Sequence, residues 1–557
     1  MKTRKNISAK LIALLFTSFV FQPFAFEAQE NDTEEGGEQI DTQLSEFRGR
    51  TITEPTNDYL AISGPLTASL MSGNYSYRAV TNRTLIEDSD NVFPPAHIVS
   101  TSYEVIGDFD RATRPVVFAF NGGPGSSSAW LHLGAWGPER LVSPGSPEVY
   151  FPPPYKLEQN KAFLIDVADV VFVDPVGTGL SRIVDNTAHP ATAFADTRTD
   201  ARSMCRFVEN WLKAEDRWGA PVYLAGESYG AIRIAGIVSH SNCRELRPHL
   251  NGLVFLSGLL DLRARGQGLL SNVSKFPTWA ALAWYHELVD RTQWNNDFDA
   301  FLSAAKTTAS SDYASALFFG NGISPERERN ALRQLGPFLG LNDEDLPSTS
   351  LAQLESIFKH KFKEEVGGRP AQYDGRYVVP IDQYGRGSSL PPLNWQELSA
   401  VFERKINESV LASAGFDFED KYLVFSEFGY IAHWDYRFLK SQEGGRGTNL
   451  ADILSRVIPT SRRTEPTRDD NTASDEVKAR SAVAALGLPP DFKMLVLAGL
   501  HDEVTPFMAM EMALQQANIR PDVYEVHLYE GGHMMYLDKG VAEQLADNIR
   551  QLVMTTN

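Results

Sequence analysis

Short apolar runs recur in two separate parts of the chain and predict buried strands. Runs of this length without alternation are typical of strands that are covered on both faces of a parallel sheet. They lie at residues 115–120, 167–173, 221–225, 253–256 and 492–498. Two further segments have strand character: 96–106 alternates between the faces of a half-exposed strand, and 523–528 is interpreted as the last strand.

Segments with helical spacing of apolar residues lie between and after these strands. They include residues 193–211, the stretch 231–238 and an amphipathic segment at 542–553. Strands that alternate with helices indicate a mostly parallel sheet with helices on both faces. We therefore expect an α/β fold whose core comprises residues 76–260 and 491–557.

The pattern changes between residues 261 and 490. Helical segments rich in Trp, Phe and Tyr alternate there with irregular polar stretches, and they lie at 279–289, 298–307, 313–319 and 327–335. Because the sheet resumes only after this interruption, the segment is interpreted as an inserted, mainly helical cap that shapes a substrate cleft. An independent second domain is the alternative.

The composition limits the classes of function. A hydrophobic fraction of 43% over 557 residues is typical of a packed globular protein. The formal net charge of −19 argues against a nucleic acid partner, because binding phosphates requires a basic surface. We find no cluster of metal ligands, and we expect neither a metal nor a cofactor. The oligomeric state is left open.

The N-terminal residues have the features of an export signal. Basic residues precede an apolar stretch at 11–21 that is short for a membrane span, so residues 1–28 are interpreted as a signal peptide. An uncleaved anchor is the alternative. The acidic segment 29–75 follows and is expected to be mobile. We expect a secreted or periplasmic protein without stable membrane insertion after cleavage.

The chain has two cysteines, Cys205 and Cys243, which lie in the helices on either side of one strand. In an exported protein they are candidates for one disulfide. Two separate buried thiols are the alternative, and the spacing does not decide between them.

The pattern G-x-S-x-G occurs at residues 226–230, between a predicted strand and a predicted helix. This context is the one that a nucleophile elbow requires, because the serine occupies a strained turn and the glycines allow close backbone approach. The sequence therefore predicts a serine hydrolase with Ser228 as nucleophile.

Two glycine-containing loops follow other strands. Residues 121–128 read N-G-G-P-G-S-S-S, and a loop of this kind can present backbone N–H groups to a developing oxyanion. A tight structural turn is the alternative. Residues 174–181 read D-P-V-G-T-G-L-S and lack the lysine of a phosphate-binding loop, so they are interpreted as a rigid loop near the cleft.

A serine nucleophile needs a base and an acid that orients this base. Asp502 and His533 each follow a predicted strand, each lies in a glycine-containing loop, and their order after Ser228 is that of an α/β-hydrolase. Separately, a helix cap at Asp502 and a loop histidine at His533 would be unremarkable. Together with Ser228 they predict a catalytic triad.

These motifs, together with G-L-H-D at 499–502 and G-H-M at 532–534, resemble those of the serine carboxypeptidase family from about residue 75 to the C-terminus. The resemblance implies that Ser228 is the nucleophile, His533 the base and Asp502 the orienting acid. It also implies that the N–H groups of Gly123 and Tyr229 form the oxyanion hole. Asn121 and Glu227 match the residues that bind the terminal carboxylate of the substrate.

The chain departs from the family pattern at two positions. Ala135 stands where the family has a second acid, just before Gly137 and Pro138, and Ser126 replaces a cysteine. The first departure affects recognition of the carboxylate more than it affects catalysis. Three residues after the glycine loop, namely Trp130, His132 and Trp136, are candidates for the cleft wall or for packing.

The sequence thus predicts a serine-type carboxypeptidase that acts on peptides with a free C-terminus through an acyl-enzyme. An esterase or acyltransferase with the same triad is the first alternative, and Ala135 favours it. A non-catalytic binding protein on a hydrolase scaffold is the second alternative.

Overall fold

The computed structural model describes a little less than three quarters of the chain. The described residues are 58–142, 153–184, 191–266, 268–346, 350–381, 395–412, 421–426, 434–436, 454, 458 and 487–556. The predicted signal peptide, residues 1–28, and most of the acidic segment lie outside them.

A ten-stranded sheet forms the centre of the molecule, in the order β1-β2-β3-β7-β4-β9-β10-β13-β14, with β8 paired to β3. Its strands are β1 (Asp58–Leu70), β2 (Gly73–Ile86), β3 (Ala96–Ile106), β4 (Val116–Phe120), β7 (Asp169–Val173), β8 (Arg182–Ile183), β9 (Val222–Glu227), β10 (Leu250–Leu256), β13 (Lys493–Gly499) and β14 (Tyr524–Tyr529). Two small sheets pair β5 (Glu139–Leu141) with β6 (Leu157–Gln159) and β11 (Gly368–Pro370) with β12 (Val378–Pro380).

Six neighbouring strands of the sheet run parallel to one another, namely β7, β4, β9, β10, β13 and β14. Strands β1, β2 and β3 are antiparallel to their neighbours. Every residue of β4, β7 and β9 is buried, as continuous apolar runs predict for central strands. The predicted mostly parallel sheet with helices on both faces is confirmed, and the fold is that of an α/β-hydrolase.

The sheet begins earlier than the composition indicated. Strand β1 starts at Asp58, and β2 starts at Gly73, so both begin inside the segment 29–75 that we expected to be mobile. The two strands form a long antiparallel hairpin that adds an edge to the sheet. Strand β1 lies at the edge of the sheet, and side chains such as Ile62 are exposed there. An exposed edge strand does not require the continuous apolar run that marks a central strand, so its start was placed too late.

Helices cover both faces of the sheet and continue into the cap region. They are α1 (Ala129–Leu131), α2 (Thr197–Ala214), α3 (Tyr229–Ser239), α4 (Leu269–Tyr285), α5 (Phe298–Thr308), α6 (Ala314–Phe319), α7 (Pro325–Leu335), α8 (Leu354–Val366), α9 (Trp395–Lys405), α10 (Phe507–Gln516) and α11 (Lys539–Thr556). Residues of α2, α3 and α10 pack in one apolar core, and residues of α1, α9 and α11 pack in another.

The described helices of the predicted cap region, residues 261–490, pack in a further apolar core. Residues of α4, α5, α7 and α8 pack there with Leu500 and Phe507 of the main body. Its helices are close to the predicted ones, although α4 begins ten residues earlier than the predicted segment, at Leu269. Within the described ranges, none of the helices combines the length and apolar character that crossing a bilayer requires.

A disulfide joins Cys205 of α2 to Cys243, just after α3. Both cysteines are buried in the core that packs α2 and α3 against the sheet. The covalent link therefore holds together the two helices that flank the strand leading to Ser228.

The double variant Cys205→Ala/Cys243→Ala should unfold at a lower temperature than the wild type. The bridge closes a loop with a sequence separation of 38 residues. Closing a loop of this length restricts the unfolded chain and stabilises the fold by about 2–4 kcal/mol. Thermal unfolding with and without reductant tests this: reductant should destabilise the wild type only. An unfolding temperature of the wild type that does not respond to reductant would contradict the prediction.

Candidate active site

Ser228 occupies a sharp turn between β9 and α3. Its backbone angles are φ 56° and ψ −121°, in a region that residues other than glycine rarely adopt. The turn requires glycine on both sides, because a Cβ on Gly226 would lie 2.2 Å from the carbonyl oxygen of Gly230. This is the strained strand-to-helix geometry that the sequence pattern predicts for a nucleophile.

Asp502 and His533 come together at the same edge of the sheet. Atom Nδ1 of His533 lies 2.8 Å from Oδ2 of Asp502. The other carboxylate oxygen of Asp502 accepts backbone N–H groups of Val504 and Thr505 at 2.8 and 2.9 Å. These bonds fix the fully buried carboxylate, so it can hold the imidazole of His533 in one orientation.

The second ring nitrogen of His533 faces Glu227. Atom Nε2 lies 3.5 Å from Oε1 of Glu227. Burial lowers the pKa of His533, but the Asp502 and Glu227 carboxylates outweigh it and raise this pKa above its usual value. The charge state of the histidine thus depends on two acids, one on each side of the ring.

Glu227 lies directly before Ser228 and is almost entirely buried. Its Oε2 accepts a hydrogen bond from Nδ2 of Asn121 at 3.1 Å and one from the N–H of Gly122 at 3.3 Å. Burial raises the pKa of Glu227, because the charged form is poorly solvated there. The two residues predicted to bind the end of a substrate are therefore in contact with each other beside Ser228.

The glycine loop packs directly on the elbow. A Cβ on Gly122 would lie 2.6 Å from the backbone nitrogen of Tyr229 and 2.7 Å from Cβ of Ser228. The next residue, Gly123, has a φ of +102°, which favours glycine. The structure thus brings the loop that carries Gly123 next to Tyr229, the two residues predicted to form the oxyanion hole.

Arg233 anchors the start of this loop. Its guanidinium donates to the carbonyl of Asn121 at 2.6 Å and to Asp200 at 2.9 Å. The hydroxyl of Tyr229 also donates to Asp200, at 3.1 Å. The loop and the elbow are consequently tied to the same buried carboxylate on α2.

Asp174 supports the other end of the glycine loop, a role that the sequence analysis did not assign. Its Oδ1 accepts both the N–H and the hydroxyl of Ser128 at 2.8 Å, and the hydroxyl of Tyr422 at 3.3 Å. Burial raises the pKa of Asp174 to about 6. The motif at 174–181 marked this loop, but the long-range contact with Ser128 has no local signal.

A short segment of the cap region, residues 421–426, joins both loops, and we call it the strap. The N–H of Ser127 donates to the carbonyl of Val424 at 2.9 Å, and the N–H of Ser426 donates to the carbonyl of Gly125 at 2.7 Å. A backbone bridge also links Leu423 to Gly179. The strap therefore pairs with the glycine loop through backbone hydrogen bonds, as neighbouring strands of a sheet do.

Tyr373, also in the cap region, covers His533. Its ring meets the imidazole edge to face with centroids 5.2 Å apart, and its carbonyl accepts the N–H of His533 at 2.6 Å. Tyr373 lies in an irregular stretch without a motif, so no pattern in the sequence marks it as a site residue.

The three aromatic candidates after the glycine loop are packing residues. Trp130 and Trp136 are buried in one core, where Trp130 lies against Phe402, and the buried His132 stacks on Phe172 of the same core. Burial lowers the pKa of His132 to about 3, so it is neutral. Among the described residues, no group of three or more His, Cys, Asp or Glu side chains is arranged to hold a metal ion.

A mostly parallel sheet that carries a serine elbow, an acid and a histidine at its strand ends defines an α/β-hydrolase. A comparison with family models assigns residues 103–318 to the serine carboxypeptidase family. This match covers about two fifths of the chain and agrees with the motifs in its sequence.

Similar proteins carry the same family name. Serine carboxypeptidase-like 36 of Arabidopsis thaliana is 32% identical over 139 residues, which are 24% of this chain and 26% of that protein. The pheromone-processing carboxypeptidase KEX1 of Colletotrichum graminicola is 29% identical over 32% of this chain and 26% of its own length. Serine carboxypeptidase 1 of Hordeum vulgare is 30% identical over 30% of this chain and 34% of its own length.

The chain thus spans about a quarter to a third of the length of these curated relatives. Among solved structures, a prohormone-processing carboxypeptidase Kex1 from Saccharomyces cerevisiae aligns with a TM-score of 0.44 at 15% identity. This alignment covers 84% of this chain and 90% of the other.

Replacing Glu227 by Gln should shift the acidic limb of the pH profile. Glu227 raises the pKa of His533, and the base must be neutral to accept a proton. In Glu227→Gln this pKa falls, so kcat/KM for a simple ester should persist to lower pH than in the wild type. The control Glu530→Gln alters a glutamate that contacts His501 and should leave the limb in place. A limb that stays fixed or moves upward in Glu227→Gln would refute the interpretation.

Replacing Asp174 by Ala should lower kcat for every substrate. The variant leaves both donors of Ser128 without their acceptor and frees one end of the loop that carries Gly123. Loss of one oxyanion donor lowers turnover by about 100-fold to 1,000-fold, so a displaced loop should cost roughly tenfold or more. Asp174→Asn retains an acceptor oxygen and should recover much of the rate. Steady-state kinetics on folded variants test this, and an unchanged kcat in Asp174→Ala would contradict it.

Proposed function

We propose that the protein is a serine-type carboxypeptidase that releases the C-terminal amino acid of a peptide. The observation that carries the proposal is the position of Glu227, a buried acid that directly precedes Ser228 and whose Oε1 lies 3.5 Å from Nε2 of His533. A buried acid beside the nucleophile is suited to recognising a substrate end, not to supporting the triad, which already has Asp502.

In the proposed reaction, the hydroxyl of Ser228 attacks the carbonyl of the last peptide bond while His533 accepts its proton. Asp502 holds the imidazole and stabilises its charged form. The N–H groups of Gly123 and Tyr229 stabilise the oxyanion of the tetrahedral intermediate. His533 then donates the proton to the leaving amine, and an acyl-enzyme remains on Ser228.

Water completes the cycle by the same steps. His533 removes a proton from the water that attacks the acyl-enzyme, and the second tetrahedral intermediate collapses to release the shortened peptide and restore Ser228. Neither half of the reaction needs a group beyond these side chains and backbone amides.

Substrate selection would depend on Glu227 and Asn121. Two bare carboxylates at hydrogen-bond distance repel each other strongly in a site with little water. The raised pKa of Glu227 favours its protonated form, which can donate to the terminal carboxylate of a peptide. The amide of Asn121 would supply a second donor.

An esterase or acyltransferase with the same triad is the second candidate. Ala135 favours it, because this side chain offers no second acid to share a proton with Glu227. Such an enzyme would use the same acyl-enzyme and would not depend on a carboxylate at the end of its substrate.

For the location, we propose export to the periplasm or the exterior, with removal of residues 1–28. The basic and apolar pattern of these residues and the disulfide between Cys205 and Cys243 support this proposal. The partner would be a peptide with a free C-terminus. The net charge of −19 argues against a nucleic acid partner.

The test compares three substrates that share one blocked peptide and end in a free carboxylate, an amide or a simple ester. A carboxypeptidase should cleave the first with a kcat/KM well above that for the amide, and equal rates would favour the esterase alternative. In Ser228→Ala, turnover of all three should fall by several orders of magnitude, because only binding and oxyanion stabilisation remain. Labelling of Ser228 by a fluorophosphonate excludes a non-catalytic binding protein.

A further inference from the structure

Tyr536 has a buried hydroxyl without a hydrogen-bond partner among the described residues. It lies three residues after His533, in a single turn of 3-10 helix at Met535–Leu537, and its side chain is fully buried. An unpaired polar group in a protein interior destabilises the fold, because it loses its hydration without gaining a partner. Such groups are rare in native structures, and one beside an active site suggests a partner that arrives with the substrate.

The ring of Tyr536 lies against the helical segment that follows the glycine loop. A Cβ on Gly134 would lie 3.0 Å from Cε2 and 3.1 Å from Cδ2 of this ring, so the glycine leaves room for it. The neighbour, Ala135, carries only a methyl group. The large aromatic ring therefore fills the space beside the position at which the sequence lacks a second acid.

The helical segment after the glycine loop is hydrogen-bonded to Asn121, one of the two residues predicted to bind the end of the substrate. The N–H of Leu131 donates to Oδ1 of Asn121 at 3.0 Å, and Nδ2 of Asn121 donates to Glu227. Burial raises the pKa of Tyr536 well above its usual value, the Glu227 carboxylate adds to this effect, and the side chain of Asn121 acts against it. The phenol therefore lies near both Glu227 and Asn121 and keeps its proton at neutral pH.

A substrate carboxylate entering this site needs hydrogen-bond donors. One oxygen of Glu227 already accepts from Asn121 and Gly122, and the other faces His533. The carboxylate has room for about four hydrogen bonds and carries a charge that must be stabilised. Tyr536 offers a neutral donor for this purpose, and its hydroxyl is buried without a hydrogen-bond partner among the described residues.

We propose that Tyr536 is a substrate-binding residue whose hydroxyl donates a hydrogen bond to the terminal carboxylate of the peptide. This inference rests on the proposed carboxypeptidase function and assigns the group that accompanies Glu227 and Asn121. A phenol cannot repel the carboxylate, so binding by Tyr536 does not require an acidic medium in the way that a pair of acids does.

The variant Tyr536→Phe tests the proposal, because it removes the hydroxyl and retains the ring that packs on Gly134. A hydrogen bond to a charged group contributes about 1.5–3 kcal/mol, so kcat/KM for the free carboxylate substrate should fall about tenfold to 100-fold, mainly through KM. The amide and the ester of the same peptide should be cleaved as by the wild type. The ratio of carboxylate to amide cleavage is the quantity to measure.

Tyr223→Phe is the matched control. Its hydroxyl is also buried but is 2.8 Å from Oγ1 of Thr556, at the far end of strand β9 from Ser228. This variant should keep the carboxylate preference and unfold at a lower temperature, because it loses the hydrogen bond to Thr556.

The outcomes separate this inference from the proposed function. If the wild type prefers the carboxylate and Tyr536→Phe keeps that preference, the inference is wrong and the carboxypeptidase function stands. If the wild type shows no preference, both are wrong. A loss of stability in Tyr536→Phe with equal rate losses for all three substrates would show a structural role and would also overturn the inference.

Discussion

The site depends on one constraint, which is the close approach of three backbone segments around Ser228. The turn at Ser228 has a positive φ, the glycine loop touches it at Gly122, and the start of α3 lies within 2.2 Å of where a Cβ on Gly226 would be. Side chains at these glycines would force the segments apart. The predicted nucleophile, the oxyanion donors and Glu227 are therefore set by the same contact, and none of them can move without the others.

Much of the fold could be predicted because the sheet is covered on both faces. Continuous apolar runs mark β4, β7 and β9, and each run ends in a loop with glycine or an acid at the edge where Ser228, Asp502 and His533 lie. The predicted helix at 193–211 starts at Thr197 in the structure, because Asp196 caps it by accepting the N–H of Thr199. Strand β1 escaped prediction since it lies at an exposed edge.

The parts of the site that could not be predicted are contacts between residues far apart in sequence. Asp174 binds Ser128, Tyr373 covers His533, and Tyr536 lies against Gly134. None of these pairs has a local pattern, because each depends on how the cap region and the sheet meet. Motifs indicate which residues react, whereas the tertiary structure determines which residues hold them in place.

The strap has a consequence beyond its own position. Its backbone pairs with the glycine loop at Ser127 and with the neighbouring loop at Gly179, so the predicted cap region supplies part of the hydrogen bonding that shapes the glycine loop. The predicted cap and the sheet are therefore coupled through backbone hydrogen bonds. An engineered exchange of residues 261–490 would have to preserve the backbone path at 421–426, since the glycine loop would otherwise lose these bonds.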